Sequence, residues 1–320
     1  NFLRAQGYFG INLVGLSTGL ACTLLIYLWV QDELSVDKFH EKDSRLYEVM
    51  EHQQYAEELM TTTSTPGILA ENLKLDYPEV EYAATTTWIE PYTLSIKDHN
   101  VKAKGYSVGA DFFNIFSFPL IHGDPSLVLQ DKLSIVISRD LAVKLFDTSD
   151  DVVGKTVELQ HERSLAVSGV FENLPSNASE QFDFVISFER FKDDNEWVTE
   201  WGNNGPSSYL VLREGADASA FSKKIADYLK GKDEDSNITL FLQQFSQRYL
   251  HGRFENGVQA GGRIDYVRLF SIIAVFILVI ACINFMNLST ARASRKAKEV
   301  GIRKSVGAQR QSIIFHHISE

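Results

Sequence analysis

The chain has 320 residues, with 31 Lys and Arg against 42 Asp and Glu, and a formal net charge of −11. An acidic chain without a basic, aromatic-laced stripe argues against nucleic-acid binding, and two cysteines, Cys22 and Cys282, exclude a disulfide-stapled domain. The charge is segregated: nine of the 31 bases and two of the 42 acids lie outside residues 32–267, leaving that middle segment with 22 bases and 40 acids.

The first element is an uncharged run, Ala5–Gln31, longer than the about 20 residues that cross a hydrocarbon core as a helix. Phe2, Leu3 and Tyr8 set against Arg4 and Gln6 predict a short interfacial stretch before it. Trp29 stands at its far end, where interfacial tryptophan is common. A signal peptide has a shorter apolar region and a small-residue cleavage site, and no such site follows Val30. Gly15–Gly19 reads GLSTG, the G-x-S-x-G pattern of a nucleophile elbow, but that elbow needs a strand before it and a helix after it. Inside a span, Gly15 and Gly19 instead offer a small-x-x-x-small face for close helix packing.

The middle segment alternates between strand and helix patterns. A strand is expected from about Leu46. A helix follows in TPGILAENLKLDYP, with Thr65 as N-cap, Pro66 in the first turn and Pro78 past the end. Strands are expected at Ala84–Trp88, Thr93–Ile96 and Val101–Val108. ADFFNIFSF reads as a short helix, 119–125 as a loop, and SIVISRDLAVKLFD as a buried strand followed by a helix. GKTVELQHERSLAVSGVFENLP reads as a strand pair and FDFVISFERF as a strand. WGNNGPSS is a junction loop. YLVLREG, ASAFSKKIADYLKGK and NITLFLQQF then read as strand, helix and strand. Two strand–helix–strand units emerge, at about 44–108 and 207–245, with a β-rich insert between them. Predicted boundaries are 1–31 for the interfacial stretch and first span, 32–110 and 205–267 for the two units, 111–204 for the insert, 268–291 for a second span and 292–320 for a tail.

The second span is uncharged from Leu269 to Ala291. Asn284 and Asn287 lie within it, and polar groups at that depth usually bond neighbouring helices or line a cavity. Arg292, Arg295, Lys296 and Lys298 follow, and such clusters mark the cytoplasmic end of a span. The tail and the extreme N-terminus are therefore expected inside and the acidic middle outside. Gly301 and Gly307 weaken helix continuity, and Ile302, Val306 and Ile313 form an apolar strip at roughly helical spacing. The residues alone leave two readings open: a basic anchor on lipid headgroups, or a docking segment for a protein. No phosphate-binding loop, dinucleotide fingerprint, zinc pattern or calcium loop occurs in the sequence. No catalytic, metal or cofactor residues are therefore expected.

The stretch ARASRKAKEVGIRKSVGAQRQSI resembles the cytoplasmic segment after the second span of MacB-type, FtsX-like ABC transporter permeases. INLVGLSTGLACTLLIYLWVQDELSVDKFHEKDSRLYEV resembles their first span and its entry into the outer domain. HGDPSLVLQDKLSIVISRDLAVKLF, VVGKTVEL and VSGVFENLPSNASEQFDFVISF resemble their periplasmic core domain. The resemblance implies an α+β periplasmic domain of two βαβ-type porter units with a β-rich insert, flanked by two transmembrane helices in the bacterial inner membrane. It implies a non-catalytic subunit whose ATP is used by a cytoplasmic ABC ATPase, a second permease copy or half, and a periplasmic adaptor with an outer-membrane exit duct. Glu299, Gly301, Ile302, Arg303, Lys304, Val306, Gly307 and Ala308 match the family's E-[IV]-G-I-[RK]-x-x-x-G-A pattern and are assigned contact with that ATPase. Efflux of a drug, peptide or toxin-like substrate is the implied work; lipoprotein release or activation of cell-wall hydrolases would use the same mechanics. The family pattern continues into further spans, so the sequence reads as a piece of a longer protein. A two-span ligand sensor shares the layout, but it would continue into heptad helices, whose register the two glycines of GIRKSVGA disrupt.

Overall fold

The computed structural model describes residues 2–56, 58–234 and 236–307. The chain divides into two compact units, one from its two ends (the described residues up to Asp32 and from Asp265) and one central domain, Glu33–Ile264.

Helix α1 runs from Phe2 to Ser35 without a break, so the stretch expected to lie apart at residues 1–8 continues into the span as helix. The central domain then opens with β1 (Leu46–Tyr55) and β2 (Glu58–Thr62), an antiparallel hairpin. β2 carries no clear alternation and escapes sequence reading. Helix α2 (Leu69–Asp76) begins later than its capping signal implies. Thr65 is fully buried, and its hydroxyl bonds Ser208 Oγ at 2.7 Å and the Pro206 carbonyl at 3.2 Å. A buried hydroxyl needs a partner, and here the strand behind it supplies one, so Thr65 does not cap the helix. β3 (Val80–Thr86) completes the first strand–helix–strand unit.

The next stretch holds β4 (Glu90–Ile96), β5 (His99–Val108), α3 (Phe112–Ile115), β6 (Leu120–His122), β7 (Ser134–Ser138), α4 (Arg139–Phe146), β8 (Thr156–Leu159), β9 (Arg163–Phe171), β10 (Phe184–Ser187) and α5 (Phe188–Asp194). Ser138 caps α4 by accepting from the Leu141 N–H. The strand expected through FDFVISFERF stops at Ser187, and FERF turns into α5, whose Phe188 is buried. β6 lies inside the predicted loop.

The second unit follows as β11 (Ser207–Leu212), α6 (Ala218–Ile225) and β12 (Ile238–Gln244). Asp217 caps α6 through the N–H groups of Ser219 and Ala220. A single turn, α7 (Phe245–Arg248), and a small ribbon, β13 (Phe254–Glu255) with β14 (Val258–Gln259), lead to helix α8, Arg263–Ser305.

The two units interlock. β11 lies between β3 and β1, antiparallel to both, and β1 lies between β11 and β12. The order β3-β11-β1-β12 with α2 and α6 is that of two split βαβ units, a ferredoxin-like sheet. Inserted between β3 and β11, the ladder β5-β10-β7-β9-β8-β4 returns to β5 and closes a ring of six strands. Closure leaves no free edge. The ring recruits β4 and β5, which the sequence reading groups with the first unit, because their partners β8 and β10 arrive only later in the chain. Gly105 on β5 sits opposite Phe184 on β10, where a Cβ would overlap the Phe184 ring.

Period-2 alternation divides the sheet into two faces. Val49, Leu210, Leu212 and Leu240 pack against Leu69, Leu73, Phe221 and Ile225 of α2 and α6. On the other face, Leu46, Tyr209 and Val211 join Tyr106, Phe112, Phe116, Phe171 and Phe182 in an aromatic core that fastens the ring to the sheet. The ring has its own interior of Leu94, Ile135, Ile137, Val157, Leu165, Val167 and Phe184.

Candidate functional site

Two helices are long and apolar enough to cross a membrane, at Leu13–Ser35 and Arg263–Ala291, with mean hydropathy 1.9 and 2.8. Gly19 is a point of close approach between them: a Cβ there would lie 3.0 Å from the Ala281 Cβ. Thr23 Oγ1 donates to the Gly19 carbonyl at 2.9 Å, which lets a hydroxyl sit in an apolar helix. Trp29 meets Phe270 edge to face, with ring centroids 5.2 Å apart. Val267, Ala274 and Ala281, seven residues apart, are the buried stripe of α8. Gly15 has nothing within 4 Å of its Cβ position, so the structure places one of the two paired glycines in the contact and leaves the other open. Asn284 and Asn287 both have exposed side chains.

The basic segment continues α8. Gly301 lies inside the helix, and Ser305 Oγ donates to its carbonyl at 2.9 Å. The helix is thus unbroken there: Gly301 is expected to weaken its continuity, and one glycine costs a helix only about 1 kcal/mol. Gly307 does end it, at φ +96°, a left-handed conformation that favours glycine after a helix. Ile302 and Val306, one turn apart, are 57% and 83% exposed, and Lys304 is exposed beside them. Glu299 and Arg303 lie on the same helical turns; Ala308 and Ile313 lie outside the described residues.

The central domain holds buried charge that sequence reading passes over. Arg248 of α7 stacks over Phe245 at 4.1 Å and donates to Glu180 at 2.7 Å, the Tyr209 hydroxyl at 2.9 Å and Ser179 Oγ at 3.0 Å. Glu48 lies 3.8 Å and Asp37 4.0 Å from the same guanidinium. Three carboxylates therefore surround one cation. Glu48 and Asp37 are each 2% exposed, and Glu48 Oε2 has no hydrogen-bond partner. Burial pushes both carboxyls above their usual range; Arg248 opposes the shift and Glu180 adds to it. His40, also buried, is pushed down to about 4 by burial and by Arg248. The two acids of LYEVME, Glu48 and Glu51, stand three residues apart and so on opposite faces of a buried strand, and they are the signal available in the sequence.

Glu48 pairs across the sheet with Tyr209 and Gln243, on the face away from α2 and α6. The three line a cleft of about 490 Å³ together with Met50, Trp88 and Tyr249. At the ends of the membrane helices, Glu33 and Arg263 form a bidentate pair at 3.0 and 3.1 Å, and the Arg263 guanidinium stacks on Tyr249 at 4.5 Å. Among the described residues no group of His, Cys, Asp and Glu is arranged to hold a metal ion.

In the chain, two helices long and apolar enough to cross a membrane bracket an α/β domain built on a ferredoxin-like sheet with an inserted strand ring. The chain belongs to the family of the MacB-like periplasmic core domain, whose model matches residues 9–228, and the FtsX-like permease C-terminal model matches residues 271–320. This is a family of ABC transporter permease components. Over 232 residues the chain is 26% identical to the macrolide export ATP-binding/permease protein MacB of Neisseria meningitidis, a match covering 71% of this chain and 34% of that protein. Over 263 residues it is 22% identical to the protein of the same name from Salmonella typhimurium, covering 77% and 38%. The chain thus spans about a third of the length of the curated relatives it matches. A solved domain from Porphyromonas gingivalis assigned to a permease protein is 24% identical with a TM-score of 0.55, covering 64% of this chain and 93% of that one. That likeness shows the fold.

Proposed function

We propose that this chain is the coupling half of an ABC transporter permease in a bacterial inner membrane, carrying ATP-driven motion from a cytoplasmic ATPase to its periplasmic domain. The observation that carries the reading is the continuity of α8. One helix of 43 residues passes from Arg263 through the apolar span to Gly301, Ile302 and Lys304. At about 1.5 Å per residue it is a rod of about 64 Å. A displacement at its basic end reaches the other end without an intervening hinge. Ile302 and Val306 present bare apolar surface for a groove on the ATPase, and Lys304 presents charge for its acids; Arg303, next to it in the sequence, is assigned the same role. ATP is bound and hydrolysed by that partner, and a second permease copy or half completes the assembly. Gly15, left open beside the packed Gly19, offers that copy or a further span a close approach.

The work we assign is efflux of a drug, peptide or toxin-like substrate through an adaptor and an outer-membrane duct. Support comes from the relatives named for macrolide export. Lipoprotein release and cell-wall hydrolase activation would use the same rod with different periplasmic partners. The test is Ile302→Asp in the intact protein co-expressed with its ATPase. The variant is expected to stay in the membrane fraction while co-purification of the ATPase falls about ten-fold or more, as for an apolar anchor at an interface centre. Unchanged co-purification and unchanged export refute the assignment.

A further inference from the structure

We propose that the cleft beside the aromatic core, on the sheet face away from α2 and α6, is a binding site for a small organic ammonium ion with an apolar body. The inference does not rest on the transport reading, since it concerns equilibrium binding to the central domain.

Three observations carry it. First, the charge is unbalanced: Asp37, Glu48 and Glu180 share the single guanidinium of Arg248, which spends its short contacts on Glu180, Tyr209 and Ser179. Second, the unbalanced charge faces the cleft. Glu48 is 2% exposed, lines the cavity, and its Oε2 has no hydrogen-bond partner. A buried carboxylate oxygen without a donor is costly, and a ligand N–H⁺ would supply one. Third, the walls suit an organic cation better than a metal. Met50, Trp88, Ile89 and Tyr249 line the cleft, Trp88 is half exposed, and about 490 Å³ is the size of small-molecule sites. Aromatic faces attract ammonium ions. The described residues offer no metal-holding group of ligands.

Burial raises the pKa of Glu48, so it holds a proton more readily than a free glutamate. The groups facing it are Arg248 of α7, Glu180 before β10, Tyr209 of β11 and Asp37 after α1, and only Arg248 is cationic. An arriving ammonium ion favours the carboxylate and so opposes the effect of burial on Glu48.

The test is titration calorimetry on the full chain in nanodiscs of zwitterionic lipid, with naphthylethylamine and its neutral counterpart naphthylethanol. The amine is expected to bind about ten-fold or more tighter than the alcohol, the scale of one buried ion pair. Glu48→Gln should remove the preference for the amine and leave alcohol binding unchanged. Trp88→Ala should weaken both ligands. Equal affinity for amine and alcohol in the unaltered protein overturns the proposal without recourse to a variant. So does an amine preference that survives Glu48→Gln, or calcium ion displacing the amine at equal concentration.

Discussion

Replacing Glu51 by glutamine is expected to stabilise the protein above neutral pH and to change it little in acid. Glu51 lies on β1 between β2 and β12 and is fully buried. Its Oε2 accepts from Gln53 Nε2 at 2.8 Å and Asn204 Nδ2 at 2.5 Å, while Oε1 and Asn204 Oδ1 have no hydrogen-bond partner. Burial raises its pKa from 4.5 to about 7, against the two amide donors, which lower it. A carboxyl whose folded pKa is raised binds protons more tightly when folded. Its contribution is therefore least unfavourable below pH 4.5 and grows unfavourable as pH rises towards 7. The cost is about 1 kcal/mol at pH 5 and about 3 kcal/mol at pH 8, from 1.36 kcal/mol per pKa unit. Glutamine cannot ionise and carries an N–H group for Asn204 Oδ1. The advantage of the variant should thus grow by about 2–2.5 kcal/mol between pH 5 and pH 8. For a domain of this size that corresponds to a rise in Tm of roughly 4–10 °C. His40 has the opposite sign, since its pKa falls from 6.5 to about 4 and its protonation destabilises the fold as pH drops through that window. The informative quantity is therefore the difference between variant and parent, measured by thermal unfolding of the full chain in detergent, followed by circular dichroism. A difference that stays flat across pH, or a variant less stable than its parent at pH 8, refutes the reasoning.

Two further substitutions test the packing. Gly105→Ala forces a Cβ into the Phe184 ring at the β5–β10 closure and should cost about 2–3 kcal/mol by overpacking, read as a lower unfolding midpoint in urea; an unchanged midpoint would mean the ring has room to move. Gly19→Leu should separate the two membrane helices, because the Ala281 Cβ already lies at 3.0 Å from the Gly19 Cβ position. Gly15→Leu, with nothing within 4 Å, should leave the isolated chain unaffected, so thermostability in detergent should fall for the first and hold for the second.

The two spans, the order of strands and helices in the two split units, and the basic segment that follows the second span are all legible in the sequence. Each depends on a local property: an uncharged run long enough for a bilayer, a period of two or of 3.6, or a short motif. Local signals fail where a distant partner competes. Thr65 is a good cap on paper, yet its hydroxyl is claimed by Ser208 on β11. FERF has strand-like aromatics but turns into α5 once Ser187 ends its pairing with Val108 on β5.

The sequence by itself determined most of the element types, the separation of an acidic central domain from two apolar helices, and the family. Only the tertiary structure decided that six strands close a ring using β4 and β5, that Gly19 packs and Gly15 does not, and that Glu48, Asp37 and Glu180 meet at Arg248. The physical reason is range. Periodicity and composition are written within a few residues of each element, whereas strand register and the pairing of buried charge join residues such as Glu48 and Arg248, which meet only after the aromatic core has brought the ring against the sheet.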